Sequence, residues 1–348
     1  MGYFKIYPNL YVILVAESAK CRKSSALRIG TGILDLIDDG PAPLAEDITP
    51  EAVISDLEAT GMQRDEQGEA KNSECVISAE ELSVFLREDA FRSGIAALLT
   101  RFYDTPDKWK KKTKTGGPEA LHDVVVNLFA ATTPTDLRQC FPHSAEGGGF
   151  LSRFIFVHSN KSGAIISRPK VTQKMLQTKS DLIHDLSAIR QLRGECVMTE
   201  EAGEFYDRWY NKWMKDTEEA SGYEPKKHTF VLKLAMVLSA CRSNKLDLTF
   251  DDINAALKYL TELEPGMKEV RESIWMSPVG ELCEKILKLI RSCKQEGIMR
   301  SALLNRATRF VDAEMLTRVI TTLDEAELIE VETMRRGKIA YGQRYTAK

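Results

Sequence analysis

Apolar positions follow two rhythms along this chain, and the change between them falls near residue 165. Before it, short apolar runs alternate with segments of helical spacing, the pattern of an α/β sheet domain. The strand candidates are Tyr11–Val15, Cys75–Ser78, Val124–Ala130 and Phe154–Val157. Segment 38–72 is acidic, with Pro41, Pro43, Pro50, Gly61 and Gly68, and leaves room for a weak strand before Cys75. From about 166 to 270 the strand signal fades, and apolar residues recur at helical spacing in 174–193, 200–217, 229–242 and 250–264. Glu200 and Glu201 after Thr199, and Asp251 and Asp252 after Thr249-Phe250, suit helix starts. Pro265-Gly266 and Ser277-Pro278 make a hinge.

Residues 279–348 form a further unit. A helix over Val279–Cys293, a break at Glu296-Gly297, a short helix around Arg300–Arg306 and a longer one around Ala313–Ala326 come first. Two strand-like runs, Leu328–Met334 and Ile339–Tyr345, then flank a turn at 335–338. Three helices and a β-hairpin in this order describe a winged helix. The expected divisions are an α/β core over 1–165, a helical subdomain over 166–274 and a winged helix over 275–348.

With 348 residues, 43% of them apolar, the chain can bury a sizeable core. A net charge of −3 does not announce a nucleic-acid binder, so a DNA surface must come from local patches. One such imbalance is the C-terminal unit, with 13 Lys/Arg against 10 Asp/Glu over 275–348. No apolar run suits a membrane span and no signal pattern opens the chain, so a cytoplasmic protein with reduced thiols is expected. The seven cysteines are scattered and never spaced C-x-x-C, against both a disulfide framework and a zinc site. His122, His143, His158, His184 and His228 lack ligand spacing.

Against this background, YVILVAESAKCRKSSAL at 11–27 has the outline of a phosphate-binding loop: an apolar strand, a polar turn, then Lys23-Ser24-Ser25 opening a helix. Both glycines of G-x-x-x-x-G-K-[ST] are replaced, by Ala16 and Arg22, which a backbone of negative φ would allow. The lysine would reach phosphate and the Ser24 hydroxyl a magnesium ion. Carboxylates for metal and water stand at the end of the next strand, Glu80 and Glu81, although Ser78 could equally cap a helix whose first turn they occupy. Thr132 and Thr133 end the following strand and could touch phosphate or cap the next helix. Arg153, just before Ile155–Val157, could reach a nucleotide held by a neighbouring subunit or make a surface ion pair.

This order resembles the ring-forming AAA+ ATPases of the helicase branch, with F-L-S-R-F at 150–154 similar to the minichromosome maintenance helicases. More closely, NLYVILVAESAKCRKSSAL, NLFAATTPTDL, GGGFLSRFIFV and HTFVLKLAMVLSA look like a phage and mobile-element family of primase–helicase ATPases. The resemblance implies an AAA+-like P-loop NTPase core, a helical lid and a winged helix, using ATP and Mg²⁺. It implies that Ala19, Lys20, Cys21, Arg22, Lys23, Ser24 and Ser25 bind ATP, and that Ser24 and Glu80 serve the metal. Glu81 would be the catalytic glutamate, Thr132 or Thr133 the sensor and Arg153 a finger acting in trans. A glutamate at 80, one methylene longer than the aspartate usual there, leaves open a protein that binds ATP and hydrolyses it poorly. The partners implied are DNA, further copies of the chain in a hexamer, and a primase or other replication protein.

Lys108, Trp109, Lys110, Lys111, Lys112 and Lys114, followed by Gly116-Gly117, sit between the acidic strand end and the sensor strand. Such a hairpin would line the pore of a ring, its lysines on phosphate and Trp109 either stacking on a base or anchoring the hairpin. Arg335, Arg336 and Lys338 at the wing tip, with Arg300, Arg306, Arg309 and Arg318 on the helices, offer a second DNA contact. Lys226, Lys227 and Lys233 are the candidates for a second sensor. The aromatic residues Phe205, Tyr206, Trp209, Tyr210 and Trp213 read as packing.

Overall fold

Tyr11–Val15 (β1) is an inner strand of a sheet, and its buried residues alternate: Tyr11, Ile13 and Val15 are at most 1% exposed. The computed structural model describes residues 5–18, 21–37, 43–44, 47–63, 72–86, 90–112, 118–141, 149–160, 166–216, 226–243, 245–336 and 339–348. After β1 come helix α1 (Lys23–Leu34), the short strand β2 (Pro43–Leu44), helix α2 (Pro50–Gly61) and β3 (Glu74–Ala79). Three helices follow, α3 (Leu82–Phe85), α4 (Ala90–Ser93) and α5 (Ile95–Tyr103). The hairpin β4 (Lys108–Lys112) and β5 (Pro118–His122) precedes β6 (Val125–Thr132), α6 (Pro134–Cys140) and β7 (Phe154–His158).

The five-stranded sheet has the order β2-β3-β6-β1-β7 and is parallel throughout. After β1 the chain crosses to the far edge, returns through β3 and β6 to β1, and then places β7 on the other side of β1. The crevice beyond the carboxyl ends of β1 and β6 therefore lies at the switch in strand order, where open α/β sheets take ligands. Because these strands are covered on both faces, their sequences are nearly continuous apolar runs. The expected α/β sheet pattern is thus realised, with strand ends shifted by one or two residues from the expected ones.

Helix α2 was not anticipated in the acidic segment. Its start is specified locally: Thr49 accepts a hydrogen bond from the Ala52 N–H at 3.3 Å, Pro50 takes the first helical position, and Val53, Ile54 and Leu57 are buried.

Helices α7 (Gln173–Arg190), α8 (Glu200–Asp216), α9 (Lys227–Arg242) and α10 (Phe250–Ile274) follow. A two-residue parallel pair, β8 (Val197–Met198) and β9 (Asp247–Leu248), ties the starts of α8 and α10 together. The expected break at Pro265-Gly266 is overturned, since α10 runs through it to Ile274. Proline removes one hydrogen bond, and here packing holds the helix together across the gap. Met267, Val270 and Ile274 are buried, and Gly266 lies so close to His158 that a Cβ would be 3.1 Å from the histidine's own Cβ.

Residues up to Ile274 form one compact unit and Trp275–Lys348 a second. In the second, α11 (Pro278–Ser292) is capped by Ser277, and β10 (Ile298–Met299), α12 (Arg300–Ala307) and α13 (Ala313–Glu325) follow. Strands β11 (Ile329–Arg336) and β12 (Ile339–Ala347) pair antiparallel, with β10 on the outer side of β12. This unit has its own core, built from Ile286, Ile290, Leu303, Leu316, Val319, Ile329 and Tyr345, each fully buried.

Candidate functional site

Strand β1 delivers the chain to the N-terminus of α1 through the loop that ends at Arg22. Counted back from Lys23, the first glycine of the P-loop pattern falls on Glu17 rather than Ala16. Ala16 instead continues the strand ladder, its N–H donating to the Thr132 carbonyl at 3.3 Å. Neither residue has a positive φ, so glycine is not required at that end of the loop.

Arg22 is different, and the expectation of a negative φ is corrected here. It caps α1 with φ 49° and ψ 39°, in the left-handed region. That backbone is what the glycine of the pattern would adopt freely, and an L-residue there costs about 1 kcal/mol. The Arg22 carbonyl accepts from the Ala26 N–H at 3.1 Å and starts the helix, leaving the first N–H groups of α1 to face an anion.

A cavity of about 320 Å³ opens at this point, lined by Ser18, Arg22, Lys23, Ser24 and Ser25 from the loop and α1. The end of β3 contributes Glu80, Glu81 and Ser83, and the end of β6 contributes Ala131, Thr132, Thr133 and Asp136. The Lys23 Nζ donates to the carbonyls of Ala16 at 2.6 Å and Glu17 at 3.4 Å, which close the loop on itself. The Glu80 carboxylate pairs with Arg28 one turn further along α1, at 2.8 Å. Glu81 is the residue before α3, with an extended backbone. Ser78 lies inside β3, so the helix start once assigned to it belongs to Glu81.

The two threonines differ in role. Thr133 caps α6: its hydroxyl accepts from the Asp136 N–H at 3.2 Å and donates to the Asp136 carboxylate at 2.7 Å. Thr132 is 5% exposed at the tip of β6 and lines the cavity with its neighbour. Asp136 was missed by sequence reasoning, although T-P-T-D is a helix-start pattern that places an acid beside the preceding strand tip. Ala19 and Lys20 lie outside the described residues.

Arg153, in the single 3₁₀ turn before β7, is not at this cavity. Phe154 pairs with Tyr11 at the start of both strands, whereas the cavity is beyond Val15. About 13 Å of strand separates the two levels. There Arg153 donates through Nη1 to the Gly149 carbonyl at 2.6 Å and through Nη2 to Asp104 at 2.5 Å, and its side chain is 11% exposed. Its Nε is buried and makes no hydrogen bond among the described residues.

The three second-sensor lysines are likewise absent from the cavity lining. Lys226 shares Asp104 with Arg153, at 3.6 Å, and Lys227 pairs with Glu264. Lys233 is 3% exposed, donates to Asn9 Oδ1 at 2.5 Å and to the Tyr103 carbonyl at 3.2 Å, and sits 4.0 Å over the Tyr103 ring. Burial lowers its pKa to about 7, partly opposed by Asp104. A lysine in an apolar helix thus found amide, carbonyl and ring partners rather than a carboxylate.

The basic stretch forms the antiparallel hairpin β4–β5 between α5 and β6. Trp109 is 9% exposed and packs edge-on against Phe102 at 5.4 Å, so it anchors the hairpin and is not free to stack on a base. Lys108 and Lys110 are exposed. The side chains of Lys111 and Lys112, and all of Lys114, lie outside the described residues. In the second unit Arg335 is exposed, while the Arg336 side chain and Lys338 lie outside the description. Arg300 is engaged internally, with Thr317 at 2.6 Å and Tyr345 at 3.2 Å, and Arg306 reaches Cys293 at 3.4 Å. Among the described residues no three His, Cys, Asp or Glu side chains gather into a metal cluster, and no helix is long and apolar enough to cross a membrane.

No protein-family model and no curated protein matches the chain. Among solved structures it is similar to the crystal structure of a full-length MCM homologue from Methanopyrus kandleri, at 17% identity and a TM-score of 0.43. The match covers 73% of this chain and 50% of that one, so the chain spans about half the length of that protein.

Proposed function

We infer that the cavity binds ATP with Mg²⁺ and that the chain is a DNA-dependent ATPase of the AAA+ helicase type. The observation that carries this is the convergence at one crevice of Lys23 and Ser24 from a helix N-terminus, Glu80 and Glu81 from β3 and Thr132 from β6. The donor set suits the ion: hydroxyl and carboxylate oxygens are what Mg²⁺ takes, and it leaves room for water and phosphate. Ser24 and Glu80 would hold it, and it would neutralise charge on the phosphates. Lys23 would exchange its carbonyl partners for phosphate oxygens, Thr132 would contact the terminal phosphate or the water, and Glu81 would orient that water.

Arg153 lies at the opposite end of the strands from its own cavity, which supports a role on a nucleotide held by another copy. A ring, most simply a hexamer, would place it there, with Lys226 alongside as a second cation. The hairpin β4–β5 would face single-stranded DNA in the pore. The three helices and antiparallel strands of 275–348 support reading that unit as a winged helix, which would add a DNA or partner contact; residues 166–274 would act as the lid. An origin in a phage or mobile element, and a primase partner, rest on the resemblance of the quoted stretches alone.

A second reading is favoured by one contact. The Glu80–Arg28 pair holds the metal-side carboxylate on α1, as in a protein that binds ATP to gate DNA binding and turns it over slowly. ATP hydrolysis measured against protein concentration, with and without single-stranded DNA, separates the two. The motor reading expects cooperative activation and its loss in Glu81→Gln and Arg153→Ala; binding without hydrolysis under every condition sinks it.

A further inference from the structure

Among the described residues of the cradle, Arg22 is the one whose side chain the backbone would rather not carry. Its left-handed φ of 49° suits glycine, yet the position holds a long cation that lines the cavity beside Lys23 and Ser24. In this conformation its Nη2 donates to the Ile166 carbonyl at 3.1 Å, on the segment that leads into α7. The neighbouring Cys21 thiol donates to the Ser159 carbonyl at 3.5 Å, just past the end of β7. Lys23, next along, also rests on backbone carbonyls. Arg22 and Lys23, the cations of the loop among the described residues, are therefore engaged by neutral oxygens. A phosphate oxygen displaces such partners, because a charged acceptor roughly doubles the strength of the bond.

We propose that Arg22 is a second phosphate-binding cation that leaves Ile166 for the terminal phosphate of a nucleoside triphosphate, so that nucleotide binding releases the segment entering α7. This deepens the reading of the cavity as a nucleotide site and rests on it. The guanidinium is planar, carries five donors and pairs with phosphate through two at once, which an ammonium cannot do. Its extra positive charge favours a triphosphate over a diphosphate.

Glycine is the discriminating substitution, since it relaxes the backbone while deleting the side chain. Titration of the full-length chain with ATP and with ADP, in Mg²⁺, compares wild type, Arg22→Gly and Arg22→Lys. Arg22→Gly weakens ATP binding about tenfold, the loss of one charge-assisted bond offset in part by the relieved backbone. It weakens ADP binding clearly less, and its melting temperature stays level or rises; Arg22→Lys falls between. Hydrogen exchange over 166–172 rises when ATP is added to wild type and is already raised in Arg22→Gly without nucleotide. Arg22→Gly binding ATP as well as or better than wild type overturns the proposal, because the arginine is then merely tolerated. Equal losses for ATP and ADP overturn the terminal-phosphate assignment, and exchange indifferent to both changes overturns the coupling. Wild type binding no nucleotide brings down the cavity reading itself, a result distinct from all of these.

Discussion

Lys233 occupies a place where a hydrocarbon would pack, and its behaviour follows from that. Asn9 Oδ1, the Tyr103 carbonyl and the Tyr103 ring surround its ammonium, and the charged groups nearest are Asp104, Lys226 and Arg153. With the folded pKa lowered to about 7 from 10.5, the unfolded chain binds more protons between those values. Stability therefore rises with pH above about 7, by up to roughly 1.4 kcal/mol per pH unit, and is insensitive to this group below it. Denaturation at pH 7 and pH 9 should show that gain in wild type and its absence in Lys233→Met; equal slopes in the two proteins would refute the assignment. At this scale the sequence was informative about residue identity and poor about conformation. Lys23, Ser24, Glu80, Glu81 and Thr132 line one crevice because each stands at or beyond a strand end, and the strands were readable. The left-handed backbone of Arg22 was not, since its φ is set by the strand and helix it joins. Nor were the sites of Lys226 and Lys233, which depend on how α9 and its first residues meet Asp104, Tyr103 and Asn9.

Among the elements, the buried parallel strands were legible as continuous apolar runs, whereas two proline signals misled. Thr49-Pro50-Glu51 starts α2, yet the surrounding acidic and proline-rich composition hid it. Pro265 was read as a break, yet α10 buries residues on both sides of it. The hairpin β4–β5 was expected, and its tryptophan is buried. Trp109 packs on Phe102, so Trp109→Ala should destabilise the hairpin locally, while the exposed lysines carry any contact with phosphate. Lys108→Ala and Lys110→Ala should each reduce the slope of log affinity for single-stranded DNA against log salt by about 0.7. Unchanged slopes in both variants would remove the hairpin from the DNA interface.

At the scale of the molecule, the chain comprises a unit ending at Ile274 that holds the cavity and a C-terminal unit with a separate core. In the first unit the cavity lies beyond the carboxyl ends of β1, β3 and β6, and Arg153 lies at the start of β7. A single copy cannot bring the two together across the strands. Under the proposed function two copies would, if the arginine end of one met the cavity end of the next, a head-to-tail contact that makes a ring where its rotation closes. Which end of the sheet the cavity and Arg153 each occupy emerged from the register of β1 against β6 and β7.

The most direct test of this account is complementation between two disabled chains. Lys23→Ala keeps Arg153 and loses the cradle, and Arg153→Ala keeps the cradle and loses the arginine. Each should hydrolyse ATP at a small fraction of the wild-type rate, and co-expressed and co-purified mixtures should recover a substantial part of it. A mixture no more active than its parents, or an Arg153→Ala protein as active as wild type on its own, would contradict a site shared between copies.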